Sequence, residues 1–164
     1  TAVSPPGEKL IRDMDRRSIL MSDAEVVFLQ AEAAERGWIG GDAGSLYKQG
    51  VRASMERWEV PTDSVDDYLG QSSVQYSSST GLSQIWLQKW LDFVGQGVEA
   101  YAHVRRTDVP NLEPGPAAVL DELPKRLPYP QSERALNSSN LEQAISQQGG
   151  AGLTTPLWWD GSGQ

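Results

Sequence analysis

The stretch that decides the fold is SDAEVVFLQAEAAERG, residues 22–37. Ser22 followed three residues later by Glu25 has the spacing of a capping box, and Gly37 can adopt the left-handed conformation that ends a helix. Apolar residues recur between them at the three- and four-residue intervals of an amphipathic helix. These residues are Ala24, Val27, Phe28, Ala31 and Ala34. The sequence therefore predicts a helix from Ser22 to Gly37.

A second helix is predicted after a short turn. Asp42 can cap it, and it must end before Pro61, because the residue preceding a proline disfavours helical geometry. The inward face is predicted to contain Leu46, Tyr47, Val51, Met55 and Trp58. Since the connection is short, we expect the two helices to form an antiparallel hairpin.

A third apolar pattern starts at Leu82 and is interrupted by Gly95-Gln96-Gly97. Two glycines in a helix interior cost about 2 kcal/mol, so two helices joined by a tight turn are predicted rather than one rod. Their expected apolar stripe is Leu87, Trp90, Leu91, Val94, Val98, Tyr101, Ala102 and Arg105.

The remaining segments are polar or rich in proline. Residues 1–17 are predicted to be extended, and residues 61–81 to be a long exposed loop with at most one short helix, near residues 65–69. Six prolines between Pro110 and Pro130 exclude a long helix there.

Only short elements are expected near the carboxyl end. Asn140 is the predicted cap of a helix at 141–148, and residues 127–129 and 157–159 are each predicted to be a brief strand or extended segment. The fold class is therefore all-α: tetratricopeptide-like helix hairpins followed by a proline-rich, loop-dominated part, with 1–164 as a single domain.

Composition excludes several kinds of function. The 164 residues carry a formal net charge of −8, which argues against nucleic acid as a partner. The chain has no cysteine and one histidine, His103, so disulfides, thiolate nucleophiles, histidine clusters and cysteine-ligated metals are not expected. No cofactor and no metal site is predicted. The sequence shows no secretory signal pattern and no membrane-spanning stretch.

Two groups of carboxylates are candidates for catalysis or metal binding. Glu25, Glu32 and Glu35 share one helix, and a glycoside hydrolase needs two carboxylates about 5 to 10 Å apart. Capping and an i,i+4 pair with Arg36 are the favoured interpretation of this group. A second group, Asp63, Asp66 and Asp67, could offer oxygens to calcium, although a solvated acidic surface is favoured because the glycine and glutamate of an EF-hand are missing.

Aromatic residues are the more distinctive feature, with six tryptophans against two phenylalanines. Their flat apolar faces with polar edges can stack on a sugar ring. Tyr68 and Tyr76 lie in the predicted polar loop and are the preferred binding residues. Trp158 and Trp159 are the next candidates, and as neighbours in an extended segment they should point to opposite sides. No catalytic residue is predicted.

The separated motifs of this chain resemble the SusD/RagB family of outer-membrane nutrient-binding lipoproteins. The first is the hairpin sequence from Ser18 to Trp58, and the second runs from Gln88 through Gly97 and Tyr101 to Arg106-Thr107. Two further matches are Arg126-Leu-Pro-Tyr-Pro-Gln-Ser-Glu133, with Leu136-Asn137, and Thr155-Pro-Leu-Trp-Trp-Asp160.

The resemblance implies the C-terminal portion of a non-enzymatic protein at the cell surface of the outer membrane. Such a protein would capture a polysaccharide or oligosaccharide and pass it to a TonB-dependent transporter, held to the membrane only by a lipid anchor outside this sequence. Two alternatives stay open: a polysaccharide-acting glycoside hydrolase, or a structural piece that docks on the transporter.

Overall fold

The computed structural model describes residues 18–160 of the chain, so the predicted extended segment at residues 1–17 lies outside the described residues. Within that range the regular secondary structure is entirely helical, and the segments at 127–129 and 157–159 contain no strand. In chain order the helices are α1 (Asp23–Glu35), α2 (Ala43–Arg57), α3 (Thr62–Gly70), α4 (Gly81–Asp92), α5 (Gly97–Thr107), α6 (Gln131–Leu136) and α7 (Ser138–Gln147). The predicted all-α class is confirmed.

The described residues divide into two compact units, one ending at Ala100 and the other beginning at Tyr101. The first unit contains α1 to α4 and the first residues of α5. The second unit contains the rest of α5, the proline-rich segment, α6 and α7.

The hairpin of α1 and α2 forms because both helices carry the expected caps. The Ser22 hydroxyl accepts a hydrogen bond from the backbone N–H of Glu25 at 2.9 Å, and the Asp42 carboxylate accepts one from Ser45 at 2.9 Å. Gly37 ends the first helix with a φ of 70°. Side-chain oxygens thus satisfy N–H groups that have no partner inside the helix.

The core of the first unit packs α1 and α2 against α4. Its fully buried members are Ala24, Phe28, Ala31, Tyr47, Val51 and Ile85. Phe28 lies directly against Gly50, where an added Cβ would stand 2.6 Å from the phenyl ring. A side chain larger than hydrogen at position 50 therefore competes with Phe28 for the same volume.

Four buried polar residues and one half-buried arginine lie at one end of this core. We call them the buried ion cluster: Ser22, Glu25, Lys89 and Asp92, with Arg57. Asp92 accepts a hydrogen bond from the Ser22 hydroxyl at 2.6 Å and pairs with Arg57 at 2.8 Å. The Lys89 ammonium lies 3.7 Å from the Glu25 carboxylate. The cluster joins α1, the end of α2 and α4.

This cluster explains why the predicted stripe on α4 is wrong. The buried residues of α4 include Gln88, Lys89 and Asp92, whereas Leu87 and Leu91 are exposed. A charged side chain can be buried when it is paired and hydrogen-bonded. The hydrophobic periodicity therefore marked the outer face of this helix. The break between α4 and α5 at the two glycines is confirmed.

The second unit has shorter helices and fewer buried side chains. Among the described hydrophobic residues from Tyr101 onward, Val104 and Leu141 are buried. Asn140 does not cap α7, because that helix begins at Ser138, so Asn140 lies within its first turn. The prolines from Pro110 to Pro130 connect α5 to α6 without a helix, as predicted.

Candidate functional site

One arginine organises the most structured polar site of the second unit. Tyr101 and Arg105 lie four residues apart on α5 and so share one face of the helix. The Arg105 guanidinium lies over the Trp159 ring, 4.5 Å from its centroid, and over the Tyr101 ring at 5.7 Å. Its Nη2 atom is 3.6 Å from the Asp160 carboxylate, which is almost fully buried. Cation–π contacts thus hold the Tyr101 and Trp159 rings against the Arg105 guanidinium, and the ion pair with Asp160 compensates its charge.

A cavity of about 290 Å³ adjoins this group within the second unit. Residues of α5, among them Tyr101, Val104 and Arg105, form part of its wall together with Asp160, and residues between Asp108 and Lys125 form the rest. The Tyr101 hydroxyl donates to the backbone carbonyl of Pro124. The volume is near the lower end of the ~300–1,000 Å³ typical of small-molecule sites. Rings, a guanidinium and carboxylates therefore converge on a space that suits a small polar ligand.

The cavity wall is acidic on balance. Its titratable side chains, tyrosine aside, are Asp108, Glu113, Asp121, Glu122, Asp160, Arg105 and Lys125. Five carboxylates against two cations produce a local field that repels anions. A neutral or cationic ligand is favoured over an anionic one.

The two neighbouring tryptophans differ in exposure. Trp158 is 95% exposed, whereas Trp159 is 43% exposed and is covered on one face by Arg105. The two residues are the central positions of a turn in which the Asp160 N–H donates to the Leu157 carbonyl at 2.9 Å, so the extended segment predicted at 157–159 is wrong. The lower exposure of Trp159 comes from its contact with Arg105. Both have a ring surface open to solvent, so both stay candidates for stacking on a ligand.

Tyr68 does not lie in an exposed loop. It belongs to α3, is half-buried and packs against the core of the first unit. Its hydroxyl accepts a hydrogen bond from the Gln88 side chain at 2.8 Å. The expectation that this ring lies in a polar loop is therefore wrong, because the short helix α3 turns it towards the core. Whether it binds a ligand stays a prediction.

Tyr76 lies in the connection between α3 and α4, but it is packed as well. Its ring is 5.5 Å from that of Tyr47, and its hydroxyl donates to the Glu35 carboxylate. An added Cβ at Gly44 would stand 2.9 Å from the ring. Burial raises the pKa of Tyr76, and the hydrogen bond and negative charge of Glu35 raise it further. These contacts are those of a structural tyrosine, and its binding role is likewise a prediction.

The helix α1 carboxylates are each engaged with a neighbour. Glu25 pairs with Lys89, Glu32 pairs with Arg36 at 3.1 Å, and Glu35 accepts from Tyr76. This geometry disfavours the hydrolase alternative for this group, since no two of these carboxylates are left to act across a bond. The backbone N–H of Glu25 donates to the Ser22 cap of α1, but the Glu25 side chain points to α4, where it pairs with Lys89.

The acidic group at Asp63, Asp66 and Asp67 lies on α3. Asp66 forms an exposed pair with Arg52 at 2.6 Å. No cluster of three or more histidine, cysteine, aspartate or glutamate side chains between residues 18 and 160 has the arrangement of a metal site. His103 is buried on α5.

The wall of the cavity was not predicted from the sequence. Residues such as Asn111 and Lys125 come from an irregular segment whose path no periodicity encodes. The pairing of Arg105 with Trp159 and Asp160 was also missed, since it joins a helix to a segment far along the chain. In the sequence, the pairing was indicated only by the fact that Arg105 and the Trp159-Asp160 pair each lie in a motif of the family resemblance.

The fold and these motifs define a known class of protein. Residues 2–130 match the SusD-like family model described as starch-binding associating with outer membrane. The chain therefore belongs to the SusD-like family, whose members have the tetratricopeptide-like all-α architecture.

Solved structures similar to this chain support the same family assignment. A SusD-like protein of Bacteroidetes AC2a is 34% identical, with a TM-score of 0.78 over 87% of this chain and 30% of its own. A chitin-binding protein is 33% identical, with a TM-score of 0.71 over 84% of this chain and 32% of its own. A SusD homologue from Bacteroides fragilis is 30% identical, with a TM-score of 0.73 over 87% and 35%.

The chain thus spans about a third of the length of these structures. No curated protein matches it significantly. The family description is that of an outer-membrane-associated binding protein. Across residues 18–160, none of the helices combines the length and hydrophobicity needed to cross a bilayer.

Proposed function

We propose that this chain is a non-catalytic glycan-binding protein and that a sugar ring binds at the cavity beside Trp159. The observation that carries the proposal is the ion pair of Arg105 and Asp160 in the cavity wall, with the Trp159 ring stacked on Arg105 beside that wall. An aromatic face can stack on the apolar face of a pyranose, while the guanidinium donates to hydroxyl oxygens and the carboxylate accepts from hydroxyl groups. Trp158 would extend the platform along a longer chain.

The charge of the cavity supports a neutral glycan. With five carboxylates against two cations in its wall, and a chain net charge of −8, an anionic polysaccharide would be repelled. Starch and chitin, which appear in the descriptions of the family and of one similar structure, are neutral in their unmodified form. We therefore propose neutral glucans and N-acetylated glycans as the ligand class.

The test is affinity electrophoresis in gels containing soluble starch or glycol chitin. We expect retardation of the unchanged chain by at least one polymer, and loss of retardation in Trp159→Ala. Arg126→Ala is the matched control, because Arg126 also lies over a tyrosine ring in the second unit, Tyr129 at 4.9 Å, but does not line the cavity. Equal retardation of Trp159→Ala and the unchanged chain would contradict the proposed site.

The gel also tests the earlier candidates Tyr68 and Tyr76. Because both are packed in the first unit, Tyr68→Phe and Tyr76→Phe are better probes than alanine variants, which would disturb the core. We expect both to migrate like the unchanged chain. Weaker retardation of either would move the site to the first unit.

Non-catalytic action is supported by the engaged state of the α1 carboxylates described above. Incubation with soluble starch or chitin oligosaccharides should release no new reducing ends. Release that is lost in Glu35→Gln would restore the hydrolase alternative.

We further propose that the chain is the C-terminal portion of a lipid-anchored cell-surface protein that passes its ligand to a TonB-dependent transporter. The family description as associating with outer membrane supports the location, and the transporter follows from the resemblance alone. Crosslinking on intact cells with a tagged chain should recover a TonB-dependent transporter. Recovery of the transporter without any glycan binding would favour the structural docking alternative.

A further inference from the structure

A second exposed tryptophan lies in the first unit, at the turn between α1 and α2. Trp38 is 71% exposed, although it is held by its backbone: Gly37 donates to the Ala34 carbonyl and Trp38 to the Ala33 carbonyl, both at 2.9 Å. This pair of bonds is the Schellman arrangement that fixes the chain just beyond a helix. The ring therefore projects from a rigid turn.

Arg36 holds this ring from one side. Its guanidinium is 5.0 Å from the Trp38 ring centroid and 5.6 Å from that of Trp86 on α4. Its Nε atom donates to Glu32 at 3.1 Å. The arginine is thus oriented by one carboxylate and two indole rings. Because one face of Trp38 faces Arg36 and most of the side chain is still exposed, the opposite face is open to solvent.

Arg36 has two further donor atoms, on the covered side of the indole. The Nη atoms of Arg36 have no acceptor within residues 18–160, and its side chain is 30% exposed. A sugar ring can stack through its C–H groups on the open indole face. The guanidinium on the opposite face holds the indole in place by a cation–π contact and does not reach that sugar. Because the turn is already rigid, little entropy is lost on binding.

The size of the surface favours a sugar over a protein. The large apolar side chains exposed at this turn are Trp38 and Ile39. A stable protein interface buries about 800 Å² on each partner, several times the ~150–250 Å² of one tryptophan. One pyranose ring needs only a single ring face.

We infer that Trp38, held in place by Arg36, is a stacking site for one pyranose ring of a neutral glycan, in addition to the cavity of the second unit. This inference rests on the proposed glycan-binding function, but it concerns different residues. Trp58 serves as the internal control. It also has an arginine over its ring, Arg57 at 5.7 Å. Arg57, however, pairs with Asp92, and Trp58 is half-buried.

The test is a titration of the full chain, labelled with ¹⁵N, with maltohexaose and with chitohexaose. The six indole N–H resonances are assigned from single Trp→Phe variants. We expect the Trp38 resonance to shift and saturate with one of the sugars, while the Trp58 resonance stays in place. Arg36→Ala should weaken the affinity measured at Trp38 several-fold, and Trp38→Ala should remove the first-unit response with the circular dichroism spectrum unchanged.

The other outcomes separate the two proposals. Shifts confined to Trp158 and Trp159 overturn the Trp38 site and leave the proposed function standing. No saturable shift at any indole with either sugar overturns both. Equal, non-saturating drift of all six resonances shows a solvent effect and also overturns the Trp38 site.

Discussion

Each unit of this chain contains a buried aspartate paired with an arginine, and the surroundings of the two pairs differ. In the first unit Asp92 is completely buried and paired with Arg57, and Tyr47 is buried beneath α3 and α4. In the second unit the described tryptophans are exposed and Arg105 lies beside a cavity. Asp160 of the second unit is almost as buried as Asp92, but its pair with Arg105 forms part of a cavity wall, whereas the pair of Asp92 with Arg57 joins helices of the first unit. The surroundings of an ion pair therefore decide whether its charges connect packed helices or line an accessible cavity.

The largest expected effect is on the core of the first unit. Phe28→Ala removes a fully buried ring and should lower the free energy of unfolding by about 3 to 5 kcal/mol. Urea denaturation followed by circular dichroism measures it. A loss below about 1 kcal/mol would mean that the first unit is not held by this core.

The partner of Phe28 sharpens that test. Gly50→Ala should destabilise by about 1 to 3 kcal/mol, because its Cβ would meet the phenyl ring. In a Phe28→Leu background the cost of Gly50→Ala should be smaller, since the ring that it meets is gone. Additive losses in the double variant would show that the two residues do not compete for space.

The next effect concerns the buried ion cluster. Asp92→Asn leaves the largely buried Arg57, whose side chain is 19% exposed, with less of its charge compensated, and it should cost about 3 kcal/mol. Asp66→Asn is the matched control, because its pair with Arg52 is 2.6 Å long but both side chains are about half exposed. That control should cost less than about 1 kcal/mol. Similar losses in the two variants would break the contrast between buried and exposed pairs.

A pH effect follows from the buried tyrosines. Burial raises the pKa of Tyr47 to about 12 from the ordinary value of 10. Tyr47 therefore ionises at a lower pH in the unfolded chain than in the folded one. Its contribution to the free energy of unfolding is fully present below pH 10 and is lost as the pH rises from 10 towards 12. Tyr76, whose pKa is also raised, acts in the same direction.

Unfolding in urea at a series of alkaline pH values measures this effect. Tyr47→Phe should flatten the alkaline fall, although it should lose about 1 kcal/mol at neutral pH with the hydrogen bond to the Val74 carbonyl, 2.8 Å long. An equally steep fall in Tyr47→Phe would assign the titration to other groups.

The smallest expected change is in the second unit. Trp158→Ala removes a ring that is almost fully exposed, so the free energy of unfolding should stay within about 0.5 kcal/mol of the unchanged chain. Thermal denaturation is the measurement. A larger loss would mean that the ring packs in solution and is not part of an open platform.

Local chemistry was predictable because it acts over a few residues. Ser22 and Asp42 begin the first two helices as their side chains require, and Gly37 and the glycines at 95 and 97 interrupt helices as expected. The family was also recognisable, since its motifs are linear in the sequence. The second unit was partly predictable: its prolines exclude long helices, but Asn140 was mistaken for a cap that the chain does not use.

The sequence by itself determined the helical class, the first hairpin and membership of the SusD-like family, because periodicity, caps and motifs are encoded locally. Only the tertiary structure decided which face of α4 is buried, since Lys89 and Asp92 enter the interior through partners on other helices. It also decided that Tyr68 and Tyr76 pack inward and that Arg105 meets Trp159 beside a cavity. These outcomes depend on contacts between residues far apart in the chain, and the free energy of burying a side chain depends on the partner that the fold supplies.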